Sequence, residues 1–291
     1  MTSPDGLRRI YVSSNSFRDR RLDAILSVCD REGITGLELS ALEQWDPRLL
    51  EKGCGRRYLV HNYCPPPVSP FLLNLASADP ASLERSLAHC RRALDLSAEL
   101  GGSVYAAHAG FAVDLEPRLL GDPHGQAQRV LGSLPAYEET YARLLASVKT
   151  LTAYAKARGV RFLIENHALS STGGDAARRL LPMVTSDELL RLLADVDNEG
   201  FGVLVDVGHL NLSAHALGFD RVRFIETLAP FIGGFHLSDN AGVDDEHGSF
   251  GGDAWFLPFL RTCPDVPLTI ELSQAPMSEI LRTRDVVAGS L

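Results

Sequence analysis

The chain has few cysteines and no long apolar run. Its 291 residues include five cysteines, an odd number without a C-x-x-C pair, so neither a disulfide framework nor a zinc ribbon is indicated. No stretch reaches the roughly 18 to 20 apolar residues that a membrane span needs. The first residues also lack the apolar segment of a secretory signal. We therefore expect a cytoplasmic protein with reduced thiols and no membrane partner.

Basic residues are also scarce. There are 28 Lys and Arg against 37 Asp and Glu, which gives a formal net charge of −9. An acidic surface repels polyanions at long range, so nucleic acid is an unlikely partner by charge. The long connections between predicted elements contain four arginines, namely Arg118, Arg129, Arg178 and Arg179.

Predicted strands and helices alternate from one end of the chain to the other. The strands are continuous apolar runs, as is typical of parallel strands that are buried on both faces. Helices are predicted after most of them, including one near Gln44–Lys52 and one that begins at Asp79-Pro80, an N-cap followed by a first-turn proline. Eight such units without a break in composition favour an α/β fold, a closed (β/α)8 barrel in a single domain spanning 1–291. An open doubly wound sheet is the alternative, but it would place ligands in one crevice.

Six of the predicted strands deliver a residue that can bind a metal ion. The C-terminal ends of the strands in a barrel lie at one rim, where barrel enzymes keep their chemistry. The sequence therefore predicts that these side chains converge. They are His61, His108, Glu165, Asp206, His236 and Glu271.

Four of these residues predict a cation. Glu165, Asp206 and Glu271 would repel one another at the mouth of a barrel unless a positive ion lay between them. His236 adds an imidazole, and no thiolate is present. Mixed N and O ligands suit Mn, Zn, Co or Fe(II), and Mg less well.

Two further motifs follow these strands. In Asp206-Val-Gly-His209, Gly208 is expected to let the chain turn sharply so that His209 points back over the rim. In Asp245-Glu-His247, the alternate positions of an extended loop put both side chains on one side. Both histidines are candidates either for metal binding or for substrate hydrogen bonding. His61 and His108 carry the same two alternatives, and Glu38, near the end of the second strand, is a further candidate for substrate contact.

These motifs resemble the xylose isomerase-like TIM barrels, a superfamily of sugar isomerases and epimerases that also includes endonuclease IV. The resemblance covers almost the whole chain and is most specific at Leu163-Ile-Glu-Asn166, Asp206-Val-Gly-His209 and His236-Leu-Ser-Asp239. It implies one Mn-like ion for the epimerase branch, held by residues matching Glu165, Asp206, His236 and Glu271, with the two glutamates as acid and base. For the endonuclease IV branch it implies three zinc ions, which additionally use the positions of His61, His108, His209, Asp245 and His247.

The ligand set therefore leaves two mechanisms open. A single ion would polarise a ketose carbonyl and stabilise an ene-diolate while Glu165 and Glu271 move the proton. Two or three ions would favour hydrolysis of a phosphate ester. The acidic surface favours the isomerase or epimerase, acting on a sugar or sugar phosphate. The connection from Gly110 to Leu134 is long enough for a lid over a small substrate. A homo-oligomer is compatible with such a barrel, but no apolar surface stripe indicates one.

Overall fold

The strands of this protein close into a parallel barrel. The computed structural model describes residues 7–50, 55–115, 134–171 and 174–291. Each strand pairs in parallel with the next along the chain, and the last pairs with the first, which confirms the predicted (β/α)8 barrel. The strands are β1 (Ile10–Ser13), β2 (Gly36–Leu39), β3 (Arg57–His61), β4 (Val104–His108), β5 (Arg161–Glu165), β6 (Phe201–Asp206), β7 (Ile232–Leu237) and β8 (Leu268–Ile270).

Helices surround the barrel. Within the described ranges, none of them is long and apolar enough to cross a bilayer. The segment proposed as a lid lies mostly in 116–133, outside the described residues. The helices are α1 (Leu22–Glu32), α2 (Pro80–Glu99), α3 (Tyr137–Lys156), α4 (Gly174–Leu180), α5 (Ser186–Val196), α6 (Val207–Leu217), α7 (Arg221–Leu228), α8 (Leu257–Leu260) and α9 (Met277–Ser290).

Two local predictions were wrong. The described part of the stretch near Gln44–Lys52 holds only a 3-10 turn, Pro47–Leu49, because Asp46 caps the turn and Leu50 leaves the helical conformation. The sharp turn expected at Gly208 is instead the first turn of α6. Asp206 caps this helix by accepting a hydrogen bond from the backbone of His209 at 2.8 Å.

Strand geometry separates an apolar layer from a polar layer inside the barrel. Side chains alternate between the two faces of a strand, so residues two positions apart face the same side. Buried Leu59, Ala106, Leu163 and Leu204 form an inner apolar cluster. The polar residues lie two positions further along the same strands, above that cluster, and are His61, His108, Glu165 and Asp206.

A pair of glycines sets the position of His236. The register between β6 and β7 shifts, so that Val203 pairs with Ile232 but Leu204 pairs with Gly234. A Cβ on Gly233 would lie 2.5 Å from Leu163 Cδ2, and one on Gly234 would lie 2.9 Å from Leu204 Cδ1. Because neither position has room for a side chain, Gly-Gly permits the shift that brings His236 opposite Asp206.

Candidate metal centre

Glu165 lies at the centre of the predicted cluster. Its Oε2 atom is 3.4 Å from Nε2 of His61 and 3.4 Å from Nε2 of His108. Its Oε1 atom is 3.3 Å from Nδ1 of His209 and 3.7 Å from Nδ1 of His236. The two oxygens of one buried carboxylate therefore face different imidazoles, so Glu165 could contribute to more than one group of ligand atoms.

A fully buried group of ligand atoms surrounds Nδ1 of His236. This nitrogen is 2.8 Å from Oε2 of Glu271 and 3.8 Å from Oδ2 of Asp206. Asp206, His236 and Glu271 can each offer one ligand atom within 4.8 Å of the others, and all three residues are buried. Together with Glu165, they form the set that was predicted for a single ion.

The hydrogen bonding of this group fits a cation. Oε2 of Glu165, Oδ2 of Asp206 and Nδ1 of His236 are buried atoms without a hydrogen bond, which is costly for polar atoms unless another partner satisfies them. Nδ1 of His236 and Oε2 of Glu271 are close, yet Nδ1 has no hydrogen bond of acceptable geometry. Both atoms could therefore serve as ligands of one ion.

The charge of the group also fits a cation. Burial, together with neighbouring acids, raises the pKa of Glu165 to about 8, so the site opposes a full set of charged carboxylates. Among the described residues, every ion-pair partner of the acids in this cluster is a histidine. Burial opposes protonation of His209 and His236, but the surrounding carboxylates raise the pKa values of both imidazoles, so these histidines supply positive charge that a divalent ion could replace.

A second group combines His209, Asp245 and His247. Oδ2 of Asp245 is 3.2 Å from Nε2 of His209 and 3.2 Å from Nε2 of His247. Nδ1 of His209 donates to the backbone oxygen of Asn166 at 2.9 Å, which leaves Nε2 as the nitrogen that faces Asp245. Burial would lower the pKa of His247, but Asp245 and Glu271 raise it to about 9.

The loop that carries Asp245 and His247 is closed at its base. Asp239 and Gly248 exchange two backbone hydrogen bonds of 2.9 and 2.8 Å in an antiparallel bridge. His247 has a φ of 45°, in the left-handed region that a side chain rarely adopts. Its side chain is about a quarter exposed and that of Asp245 about a third, so this group faces outward from the buried one.

The third group is formed by His61, His108 and Glu165, whose ligand atoms lie within 4.8 Å of one another. Burial, followed by the nearby positive charge of His236, lowers the pKa of His61 to about 4. Burial likewise lowers the pKa of His108 well below its usual range. Both imidazoles are therefore neutral near pH 7, the form that binds a metal ion.

Glu38 contacts one of the other candidates, His236. Its Oε2 accepts hydrogen bonds from His236 Nε2 at 3.0 Å and from Thr269 Oγ1 at 3.1 Å. The residue is only 3% exposed. These contacts place Glu38 behind His236, on the side away from Glu271, although the sequence suggested a contact with substrate.

Sequence reasoning missed the residues that hold the ligands. Oε1 of Glu271 accepts hydrogen bonds from Asn15 Nδ2 at 2.9 Å and from Ser13 Oγ at 3.3 Å. The side chain of Asn166 bonds both the backbone N–H and the carbonyl of Asp206. The Asn after Glu165 was visible in the Leu-Ile-Glu-Asn motif, whereas nothing distinguishes Ser13 and Asn15 from other polar residues in β1 and the turn after it.

A cavity of about 270 Å³ adjoins the cluster. It reaches Glu271 and His247, and so connects the buried group of ligands with the exposed one. Most of its lining is polar, and includes Asn15, Arg20, His247, Glu271, Ser273 and Gln274.

Curated relatives match part of the chain. A probable endonuclease 4 of Persephonella marina is 28% identical over 142 residues, which are 49% of this chain and 40% of that protein. The chain spans less than half the length of the curated relatives that it matches.

Solved structures match nearly all of it. A D-tagatose 3-epimerase-like protein superposes with a TM-score of 0.73 at 19% identity, covering 97% of this chain and 96% of the other. A 3-keto-D-glucoside 4-epimerase from E. coli gives 0.66 at 14% identity, covering 97% and 98%. Identities this low show a shared fold. The family described as "xylose isomerase-like TIM barrel" matches residues 14–263. The chain therefore belongs to the xylose isomerase-like TIM barrel family.

Proposed function

We propose that this protein is a divalent-metal-dependent isomerase or epimerase of a sugar or sugar phosphate, which transfers a proton at a carbon next to a carbonyl. The observation that carries the proposal is the pair Glu165 and Glu271. These carboxylates lie on different strands of the barrel and both approach Nδ1 of His236, at 3.7 and 2.8 Å. The epimerases named among the solved structures support the proposal through their shared fold.

The cation would be held by Glu165, Asp206, His236 and Glu271. Glu165, Asp206 and His236 each have a buried atom without a hydrogen bond that such an ion would satisfy, and ligand atoms of Asp206, His236 and Glu271 lie within 4.8 Å of one another. A bound divalent ion supplies Lewis acidity toward a carbonyl and its neighbouring hydroxyl. The N and O donors without thiolate suit Mn, Zn, Co or Fe(II), and Mg less well.

The two glutamates would transfer the proton. Ser13 and Asn15 hold Oε1 of Glu271, and the same residue borders the cavity. A substrate in the cavity would therefore lie against an oriented carboxylate, which accepts the proton from carbon. Glu165, which approaches the same nitrogen of His236 from β5, would return a proton. The half-buried His247 borders the cavity too and would orient a substrate hydroxyl.

The test is solvent isotope exchange. The metal-loaded protein would be incubated with candidate ketoses in D2O, and deuterium at carbon would be followed by NMR. We expect Glu271→Gln to reduce exchange by about 10²- to 10⁴-fold, the usual contribution of a general base. Glu226→Gln, on the exposed face of α7, is the matched control. Full exchange in Glu271→Gln would refute the assigned role.

A second candidate is a multinuclear-metal phosphoesterase. The observation that favours it is that several groups of ligand atoms lie close together, and Glu165 belongs to two of them, one with His61 and His108 and one with Asp206 and His209. The probable endonuclease 4 among the relatives points the same way. The acidic net charge counts against a DNA substrate.

The four arginines of the long connections, which could in principle bind a phosphate group, give the phosphoesterase little support. Arg178 pairs with Glu188 at 3.0 Å and Arg179 is exposed, while Arg118 and Arg129 lie outside the described residues. Metal stoichiometry separates the two candidates. About one ion per chain in protein purified without added metal supports the isomerase, and two or three ions with nicking of abasic DNA support the hydrolase.

A further inference from the structure

We infer that Glu38 is a positioning residue that fixes the orientation of His236 and thereby tunes the affinity of the proposed cation site. The inference rests on the proposed metal centre but on no particular reaction. Glu38 lies in β2 and His236 in β7, with β8 and β1 between them. The contact therefore crosses the interior of the barrel instead of running along neighbouring strands.

The imidazole of His236 has two nitrogens in different surroundings. Nε2 is 3.0 Å from Oε2 of Glu38, within a hydrogen bond. Nδ1 faces Glu165, Asp206 and Glu271 at 2.8 to 3.8 Å. A carboxylate can only accept when ionised, so Nε2 carries a hydrogen, and Nδ1 is the nitrogen that faces the ligand group and would offer its lone pair to a bound cation.

Thr269 fixes the carboxylate in turn. Its Oγ1 donates to the same oxygen of Glu38 at 3.1 Å, and Glu38, Thr269 and His236 are all at most 3% exposed. Thr269 is two positions before Glu271, on the same face of the chain. The chain Thr269–Glu38–His236 thus joins three strands beneath the ligand atoms and holds the imidazole ring at a defined angle.

The partner of His236 differs from that of His209. Nδ1 of His209 donates to a backbone carbonyl, that of Asn166, whereas Nε2 of His236 faces a carboxylate. A carboxylate partner raises the basicity of a ligating imidazole more than a neutral carbonyl does, and loss of such a partner typically weakens metal binding by about 10- to 100-fold. His236 thus has a hydrogen bond to an acid, Glu38, that the sequence did not predict as a metal ligand.

Glu38, His61 and His236 could alternatively bind an ion of their own, since they also offer ligand atoms within 4.8 Å of one another. We favour positioning because Oε2 of Glu38 already accepts two hydrogen bonds, one of them from the nitrogen of His236 that an ion would need. The two alternatives differ in stoichiometry, because a separate ion would be lost when Glu38 is replaced.

The experiment compares Glu38→Ala with Glu38→Gln. Gln retains an oxygen that accepts from His236 Nε2, so we expect Glu38→Gln to keep most of the affinity for Co²⁺, measured by visible absorption. Glu38→Ala should bind Co²⁺ about 10- to 100-fold more weakly at unchanged stoichiometry. Thr269→Val, which removes only the donor to Glu38, should give a smaller loss and serves as a second variant if Glu38→Ala fails to fold.

A spectroscopic signature separates positioning from general destabilisation. In the Zn²⁺-loaded protein labelled with ¹⁵N-histidine, the Nε2–H of His236 should exchange slowly in the wild type and in Glu38→Gln, and rapidly in Glu38→Ala. Wild-type affinity in Glu38→Ala, or the loss of one whole ion in that variant, would overturn the inference. Because these measurements use no substrate, weakened Co²⁺ binding without any isotope exchange into sugars would sustain the inference and reject the proposed function.

Discussion

At the residue scale, the nitrogen that each histidine presents is decided by its second partner. Nε2 of His209 faces Asp245 because Nδ1 donates to Asn166, and Nδ1 of His236 faces Glu271 because Nε2 donates to Glu38. The residues that end strands could be recognised in the sequence. Which nitrogen faces the cluster could not, because it depends on a partner from a distant element of the fold.

His89 gives a pH-dependent prediction outside the metal centre. It is fully buried in α2, and its Nε2 contacts the backbone oxygen of Asn62 at 2.9 Å. Burial lowers its pKa in the folded state, so below the ordinary value of about 6.5 the unfolded chain binds a proton more readily. Stability from a neutral His89 is therefore present above that pH and lost as the pH falls toward the folded pKa.

We expect His89→Gln, which cannot titrate, to show a flatter dependence of the unfolding free energy on pH between about 7.5 and 5.5. The difference in slope is bounded by one proton, about 1.4 kcal/mol per pH unit. Urea denaturation at a series of pH values measures it, with a chelator present throughout so that titration of metal ligands is the same in both proteins. Parallel curves for the two proteins would show that His89 has no such role.

At the scale of elements, the sequence predicted best those that end in clear local signals. Asp79 accepts a hydrogen bond from the backbone of Ser82, and α2 begins at Pro80 as predicted. Helix α6 was missed because its first eight residues are all buried, which leaves no amphipathic period to detect. The helix predicted near 44–52 was wrong because Asp46 caps only a single 3-10 turn, Pro47–Leu49.

Gly36 tests the close approach of β1 and β2. A Cβ at this position would lie 2.2 Å from the backbone oxygen of Ile10, and a backbone atom cannot move aside as a flexible side chain does. We expect Gly36→Ala to lower the unfolding free energy by about 1–3 kcal/mol, the usual cost of overpacking. Gly252→Ala, where nothing lies within 4 Å, is the control, and equal denaturation midpoints in the two variants would contradict the prediction.

At the scale of the whole molecule, the proposed cation links strands from several parts of the barrel. An ion that binds only the folded state raises the unfolding free energy, by about 2.7 kcal/mol at a concentration of 100 Kd. We therefore expect a chelator to lower the melting temperature of the wild type by several degrees, as calorimetry would record. An unchanged melting temperature would count against a structural contribution of the ion.

Asp206→Asn provides the matched variant for that experiment. It removes the charge of a carboxylate whose Oδ2 is buried without a hydrogen bond, so it should abolish the response to chelator. In metal-free protein the same substitution should change the melting temperature little, because Asn keeps an oxygen that can cap α6 and the repulsion between Asp206 and the neighbouring Glu165 and Glu271 is relieved. A large loss of stability without metal would show that Asp206 acts mainly in packing.

The loop between Asp239 and Gly248 has a consequence for how such proteins diverge. Its own backbone bridge closes it, so Asp245 and His247 are carried by a loop that takes no part in strand pairing, and the backbone of His247 also accepts a hydrogen bond from that of Ser273. Residues such as Glu165 and Asp206 have no such freedom, because they are part of the barrel itself. Evolution can therefore add or remove Asp245 and His247 by altering this one loop. A change in the number of ions that such a protein binds need not alter the architecture of its barrel.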